Sequence, residues 1–333
     1  MENHLQFLSR HGLNSIVVDF KDDFGWVTYN TRLKDPYRIG AVTLRIDLEQ
    51  LLTAAHKRGV YVIGRLVVFK DRQLFNYADY KYAAWNGQTD GPWRYLVEYE
   101  DEETGQSRLS QNEYWVDPFN SEIWKYNIAI AEELQQRGVD EIQFDYIRFP
   151  SDGDLSKIRY RYRREGMSRI DALESFLSLV RESIHIPIST DLYGFNSWHR
   201  MGNWIGQNID MLADFVDVIC PMFYPSHFPG EFINDLNYLS RARQIYQEGT
   251  TRAASIVGSR SIIRPYVQAF LIGSELEMSS EEYSSYLTHQ IEGTLEAPSS
   301  GLTLWNASNR YYMVRKSLKP YFSKDSQAPR STE

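Results

Sequence analysis

Two aspartates carry the most chemistry in this sequence: Asp145 in "EIQFDYIRF" and Asp191 in "IPISTDLYGF". Each ends a short run rich in β-branched or aromatic residues, where a strand that only filled a core would need no acid. Paired carboxyl groups can break a glycosidic bond. One protonates the leaving oxygen, and the other attacks the anomeric carbon or activates water; a separation of about 5–5.5 Å implies retention and roughly 6.5–9.5 Å inversion. Asp145 is assigned as nucleophile or electrostatic stabiliser and Asp191 as general acid. The bland alternatives are an ion pair of Asp145 with Arg148 or Arg65, and a turn-capping role for Asp191.

Side chains alternate along a strand, so parity selects the companions of these acids. If Ile142 and Phe144 face helices, then Glu141, Gln143 and Asp145 face inward. The same rule turns inward Val17, Asp19 and Lys21, then Arg65 and Val67, then Ser189 and Asp191. Later strands contribute Cys220, Met222 and Tyr224, then Arg264, Tyr266 and Gln268, then Thr303 and Trp305. Asp19, Lys21, Arg65, Tyr224, Gln268 and Trp305 thus become candidate substrate-binding residues, with Trp115 of the long loop as a further platform beside Trp85 and Trp93. Asp22 and Asp23 read as loop-forming acids.

The elements that would position these residues share a local grammar. "FLSRHGLNSIVVDF", "LLTAAHKRGVYVIGRLVVF" and "AEELQQRGVDEIQFDY" each run from an amphipathic helix through a basic residue to glycine and into a strand. Gly12, Gly59 and Gly138 suit the left-handed position that ends a helix. Asp47 and Asn120 or Ser121 suit helix N-caps. Further strands are read at "IPISTDLYGF", "VDVICPMFYP", "IRPYVQAFLI" and "GLTLWNAS", with helices over 168–184, 206–214, 235–247 and 280–292. Alternating strands and helices imply parallel pairing. Seven visible strands predict an α/β fold of the (β/α)₈ TIM-barrel type lacking its first strand, expected upstream of Met1. An open doubly wound sheet is the alternative, but no Gly-rich nucleotide loop follows any strand. One domain over 1–322 is expected, with a long strand–helix loop at 71–119 and a disordered tail at 323–333.

Composition narrows the function classes. Of the 333 residues 42% are hydrophobic and 24% charged, enough for a large core, and the net charge of −8 opposes general nucleic-acid binding. The lone Cys220 precludes an internal disulfide and a cysteine-built metal site, and the seven histidines show no paired ligand spacing. No metal or organic cofactor is expected, nor a membrane-spanning segment. A monomer is expected, cytosolic as the sequence is written and extracytoplasmic if a leader precedes it. The basic run "KIRYRYRREGMSR", 157–169, reads as a solvated helix face. Its functional alternative is an electropositive rim for an anionic polysaccharide, with RNA third because no RNA-binding motif accompanies it.

"SIVVDFKDDFGWVTY", "GRLVVFKD", "WVDPF…WKYNIAIAEE", "FDYIRFPSDG" and "GLTLWNAS" together resemble the bacterial glycosyl hydrolase-like family known as domain of unknown function 4015, from about Leu5 to Tyr321. That resemblance implies a TIM-barrel glycoside-hydrolase fold and carbohydrate hydrolysis. Family-18 chitinases are a more distant likeness. Asp140, Gln143 and Asp145 fall on the chitinase fourth-strand pattern, Tyr224 and Trp305 on later signatures, but Ile147 stands where its catalytic glutamate should be. A fourth-strand aspartate nucleophile, as in amylase-like barrels, fits better. The expected function is hydrolysis of an envelope polysaccharide or exopolysaccharide; the alternative is a noncatalytic glycan-binding barrel.

Overall fold

The computed structural model of the protein describes residues 1–100, 105–199 and 202–322. The tail expected to be disordered lies outside the described residues. Gly12, Gly59 and Gly138 adopt φ of 74°, 67° and 94°, the region only glycine enters without strain, so each helix in the repeated unit stops and turns into its strand. Asp47 and Asn120 cap the helices Leu48–His56 and Ser121–Gln136 through their side chains.

A ten-stranded, mostly parallel sheet organises the molecule. Its order is Thr303–Trp305, Tyr266–Gln268, Val218–Met222, Ile188–Tyr193, Glu141–Asp145, Tyr61–Val67 and Ser15–Lys21, and all these neighbours pair in parallel. Helices flank the sheet. Ile142 and Phe144 face outward as parity demands; the Phe144 ring meets Phe176 of the Arg169–Ser183 helix edge-on at 5.6 Å. Burying such a side chain contributes about 1.5–3 kcal/mol.

The sheet does not close into a complete barrel among the described residues. Thr303–Trp305 forms one end, and a short hairpin strand, Val27–Tyr29, extends the other by pairing antiparallel with Ser15–Lys21, followed by Val42–Ile46. Between the first and last barrel strands lies a cleft of about 1000 Å³, lined by Ile16, Val18, Leu302 and Leu304 and edged by helix Glu2–His11. The strands beside it are largely half-buried, whereas Glu141–Asp145 is buried throughout.

Several local expectations need correction. "IRPYVQAFLI" forms two short strands, Ile262–Ile263 and Tyr266–Gln268, because Pro265 between them has no N–H to give the ladder. The 206–214 helix is one short turn, Ile209–Leu212, with another, Gly202–Ile205, before it, and the 235–247 helix begins after Asn237 and runs on to Val257. The basic run is not a helix: it supplies the strand Ile158–Arg159, paired with Trp85–Asn86, and the helix starts only at Arg169. The long loop carries a helix at Arg72–Asn76 and a hairpin of Tyr95–Glu100 with Ser107–Glu113.

Candidate active site

Strand register determines which side chains meet. Asp19 lies opposite Arg65, Arg65 opposite Gln143, and Val67 opposite Asp145. On the other side Thr190 lies opposite Phe144, which brings Asp191 level with Asp145 on the neighbouring strand. Residues level on adjacent strands point to the same face. All of these acids therefore converge on one guanidinium.

Arg65 is 2% exposed and binds several aspartates at once. Its Nη1 donates to Asp19 Oδ1 at 2.8 Å, and its two terminal nitrogens donate to Asp23 at 3.3 and 3.4 Å. Nε and Nη2 donate to Asp145 Oδ2 at 3.0 and 2.5 Å, while Nε lies 3.8 Å from Asp191 Oδ2. Burial alone would lower the guanidinium's pKa, but Asp145, Asp19, Asp23 and Asp191 outweigh it and push it up. One permanent cation thus holds the cluster together.

The two central carboxyls have different surroundings. Asp145 Oδ1 accepts the Tyr146 N–H at 2.6 Å, and Tyr146 takes φ 52°, a left-handed conformation rare for an aromatic residue. Asp191 is buried, and its Oδ1 has no hydrogen-bond partner. Burial first, then the charge of Asp145 and a hydrogen bond with it, push its pKa well up, against the pull of Arg65. Its surroundings therefore disfavour the ionised form of Asp191.

Beneath the acids lies a polar floor. Tyr266 Oη donates to Gln143 Oε1 at 2.5 Å, Gln143 Nε2 donates to Cys220 Sγ at 3.4 Å, and Arg264 pairs with Glu141. Burial pushes the Cys220 thiol up to about 12, so it stays neutral. Tyr224 and Trp305 form an aromatic wall with Tyr266. The Trp305 ring meets Tyr266 edge-on at 5.8 Å and lies under the Arg65 guanidinium at 5.2 Å.

The structure does not bring every sequence-selected residue to this cluster. A register shift after Asp19 rotates Lys21 away; its Nζ sits 2.7 Å from Asp71 with neither side chain exposed. Gln268 is consumed locally, donating to Phe270 O and Glu275 and accepting from Ser226. Trp115 and Trp93 are 1% and 2% exposed, so neither presents a free ring face, and the half-buried Trp85 has the Arg161 guanidinium over its ring at 3.7 Å. Arg148 does not bind Asp145; it bonds Phe149 O and Ser151.

Sequence reasoning missed Asp23, Lys70 and Tyr146. Asp22 does shape its loop, accepting from Phe24 and Trp26, but Asp23 turns to Arg65. Lys70 lies 3.9 Å from Asp23, 3.6 Å from Glu113 and 3.3 Å from the Tyr146 hydroxyl. Parity would send Lys70 outward; a bridge to Trp115 redirects the chain there.

Residues 1–311 match the model of a family described as "Putative glycosyl hydrolase domain". The chain belongs to this family. No curated protein sequence matches it. Among solved structures, the glycoside hydrolase domain of PgaB (BpsB) from Bordetella bronchiseptica is similar at 13% identity and a TM-score of 0.61, over 99% of this chain and 94% of that one. The trehalose-6-phosphate hydrolase TreA of Bacillus licheniformis is similar at 14% identity and a TM-score of 0.51 over 91% of this chain, which spans 59% of that enzyme. A hypothetical protein from Ruminiclostridium thermocellum shares 32% identity over 57% of this chain and 89% of its own, with a TM-score of 0.48. The likenesses to PgaB and TreA support the glycoside-hydrolase TIM-barrel type of α/β fold. Among the described residues, no helix is long and apolar enough to cross a membrane.

Proposed function

We propose that this member of the family hydrolyses glycosidic bonds of a polysaccharide, with Asp145 and Asp191 as its working pair. One observation carries the reading: two level carboxyls share an arginine, yet one is clamped by donors and the other is buried with a free oxygen and a raised pKa. Environments that push two acids apart are what general acid catalysis requires.

In this reading Asp191 gives its proton to the leaving glycosidic oxygen, and its buried Oδ1, which no protein group engages, is the atom left for that transfer. Asp145 meets the positive charge that develops at the anomeric carbon, as nucleophile or as stabilising carboxylate. Arg65 positions Asp145 and holds Asp19 and Asp23 at the rim, where they are partly exposed and suited to sugar hydroxyls. Trp305, half-buried, offers the uncovered part of its ring to sugar C–H groups, while the buried Tyr224 belongs to the wall packed with it. Lys21, Gln268 and Trp115 act on the scaffold beneath or beside the site. No step in this chemistry calls for a metal or an organic cofactor.

The test is a panel of envelope and exopolysaccharide glycans assayed for new reducing ends, with Asp145→Asn and Asp191→Asn in parallel. A substrate cut by the wild type and slowed about 10²–10⁴-fold by either change is expected. Cleavage at an equal rate by the Asp145→Asn protein removes that residue from the mechanism. Saturable binding without any product supports the noncatalytic glycan-binding alternative.

A further inference from the structure

A second cavity, of about 530 Å³, lies where the 71–119 loop meets the basic run. Tyr80, Trp93, Arg94, Tyr95, Gly153 and Lys157 contribute to its lining, and no member of the aspartate cluster does. It is a built feature. Ala78, Asp79 and Tyr80 take successive φ of 47°, 55° and 59°, and Arg161 holds that left-handed turn by donating to the carbonyls of Tyr80 and Lys81 at 2.8 and 2.9 Å. Trp93 Nε1 donates to Asp154 O at 3.1 Å, tying the loop to the segment that follows the Asp145 strand. Gly153 packs so closely that a Cβ there would meet Tyr95 at 2.8 Å, and its φ is 82°.

The basic run therefore divides its duties. Arg161 is structural, while Lys157 faces the cavity beside Arg94. Arg94 bonds neutral groups, Gln111 Oε1 at 2.8 Å and the Tyr80 hydroxyl at 3.1 Å, and stacks over the Tyr80 ring at 5.4 Å. Among the described residues, no carboxylate is paired with it. Lys157 pairs with Asp154 at 2.9 Å, but both side chains are about half exposed, so water screens that contact. Tyr80 and Tyr95 remain half-buried, each able to offer part of a ring.

We propose that this cavity is a subsite for an acidic sugar unit, separate from the aspartate pair. The Arg94 guanidinium, which has no carboxylate partner among the described residues, donates a two-pronged hydrogen bond to a sugar carboxylate, Lys157 adds charge, and the two tyrosines bracket the ring. The chain's net charge of −8 repels an anionic polymer at long range, so local cations must supply the selectivity. This inference rests on the carbohydrate reading above and extends it to an acidic polysaccharide gripped outside the cleavage point.

The experiment screens the wild-type and Asp145→Asn proteins on an array of uronate-bearing, sialate-bearing and neutral oligosaccharides, then titrates the best-retained uronate or sialate oligosaccharide by calorimetry. Acidic glycans should be retained over neutral ones. Arg94→Gln should weaken the titrated affinity at least fivefold, Lys157→Gln should weaken it less, and added salt should weaken it further. No preference for acidic glycans overturns the inference, as does unchanged affinity in an Arg94→Gln protein whose circular dichroism matches the wild type. The outcomes separate the two proposals. Arg94-dependent binding without cleavage keeps this subsite and removes the hydrolase; cleavage without Arg94 dependence does the reverse.

Discussion

Asp145 and Asp191 meet at a single nitrogen. Arg65 Nε lies 3.0 Å from Oδ2 of the first and 3.8 Å from Oδ2 of the second, so the two carboxyls sit well inside the ~10 Å beyond which a pair could not flank one bond. Their difference comes from the other oxygen of each, which is clamped by a backbone N–H in Asp145 and unpartnered in Asp191.

If Asp191 is the general acid, activity needs its proton. Its pKa is raised by burial and by Asp145, so kcat should fall as pH climbs through that raised value. Asp191→Asn should abolish this alkaline limb together with most of the activity, read from a pH–rate profile.

The same burial has a stability consequence of defined sign. A carboxyl whose folded pKa is raised stabilises the fold most below the unfolded value and loses that contribution as pH rises toward the folded one. At neutral pH Asp191→Asn removes this burden, and melting temperature should increase by about 2–4 °C, measured by calorimetry. A lower melting temperature at pH 7 would contradict this account.

Asp117 offers a cleaner titration. Burial pushes its pKa up to about 6 despite hydrogen bonds from the backbone N–H groups of Phe119, Tyr162 and Arg161. An NMR titration should show its carboxyl carbon shifting with a midpoint near that value. Its stabilising contribution should be greatest below about pH 4 and decline by up to about 3 kcal/mol as pH rises past 6.

Lys21 and Asp71 form an ion pair with no exposed surface, and Asp71 also caps the Arg72–Asn76 helix through Leu74 N. Removing one partner leaves the other charged and buried. Lys21→Met alone should cost about 3–5 kcal/mol in urea unfolding. Lys21→Met combined with Asp71→Asn should cost less than that single change. Equal costs would mean that the isolated charge is relieved by water.

The open edge of the sheet predicts a pattern of hydrogen exchange. Amides in Glu141–Asp145 are flanked by strands on both sides, whereas Ser15–Lys21 and Thr303–Trp305 each face the cleft along one edge. Alternate amides of the two cleft strands should exchange orders of magnitude faster than those of the central strand. Uniform protection would show that the cleft is closed in solution.

Local rules were enough to read the strands, their parity and most helix ends. Gly138, Asn120 and the alternation in Glu141–Asp145 act through backbone sterics and a period of two, both legible in a few adjacent residues. The same parity put Asp19, Arg65, Asp145 and Asp191 on inward positions. It misplaced Lys21, because one register shift reverses a strand's faces and nothing in "VVDFKDD" announces it.

What the sequence alone determined was the α/β alternation, the family and the inward set of acids. Only the tertiary structure decided which acids meet: Asp23 and Lys70 joined the cluster through loop turns, while Gln268 and Trp115 were taken up by neighbours far along the chain. The reason is physical. Parity and capping depend on adjacent peptide units, whereas burial, a shared arginine and a displaced pKa depend on side chains that only folding brings together.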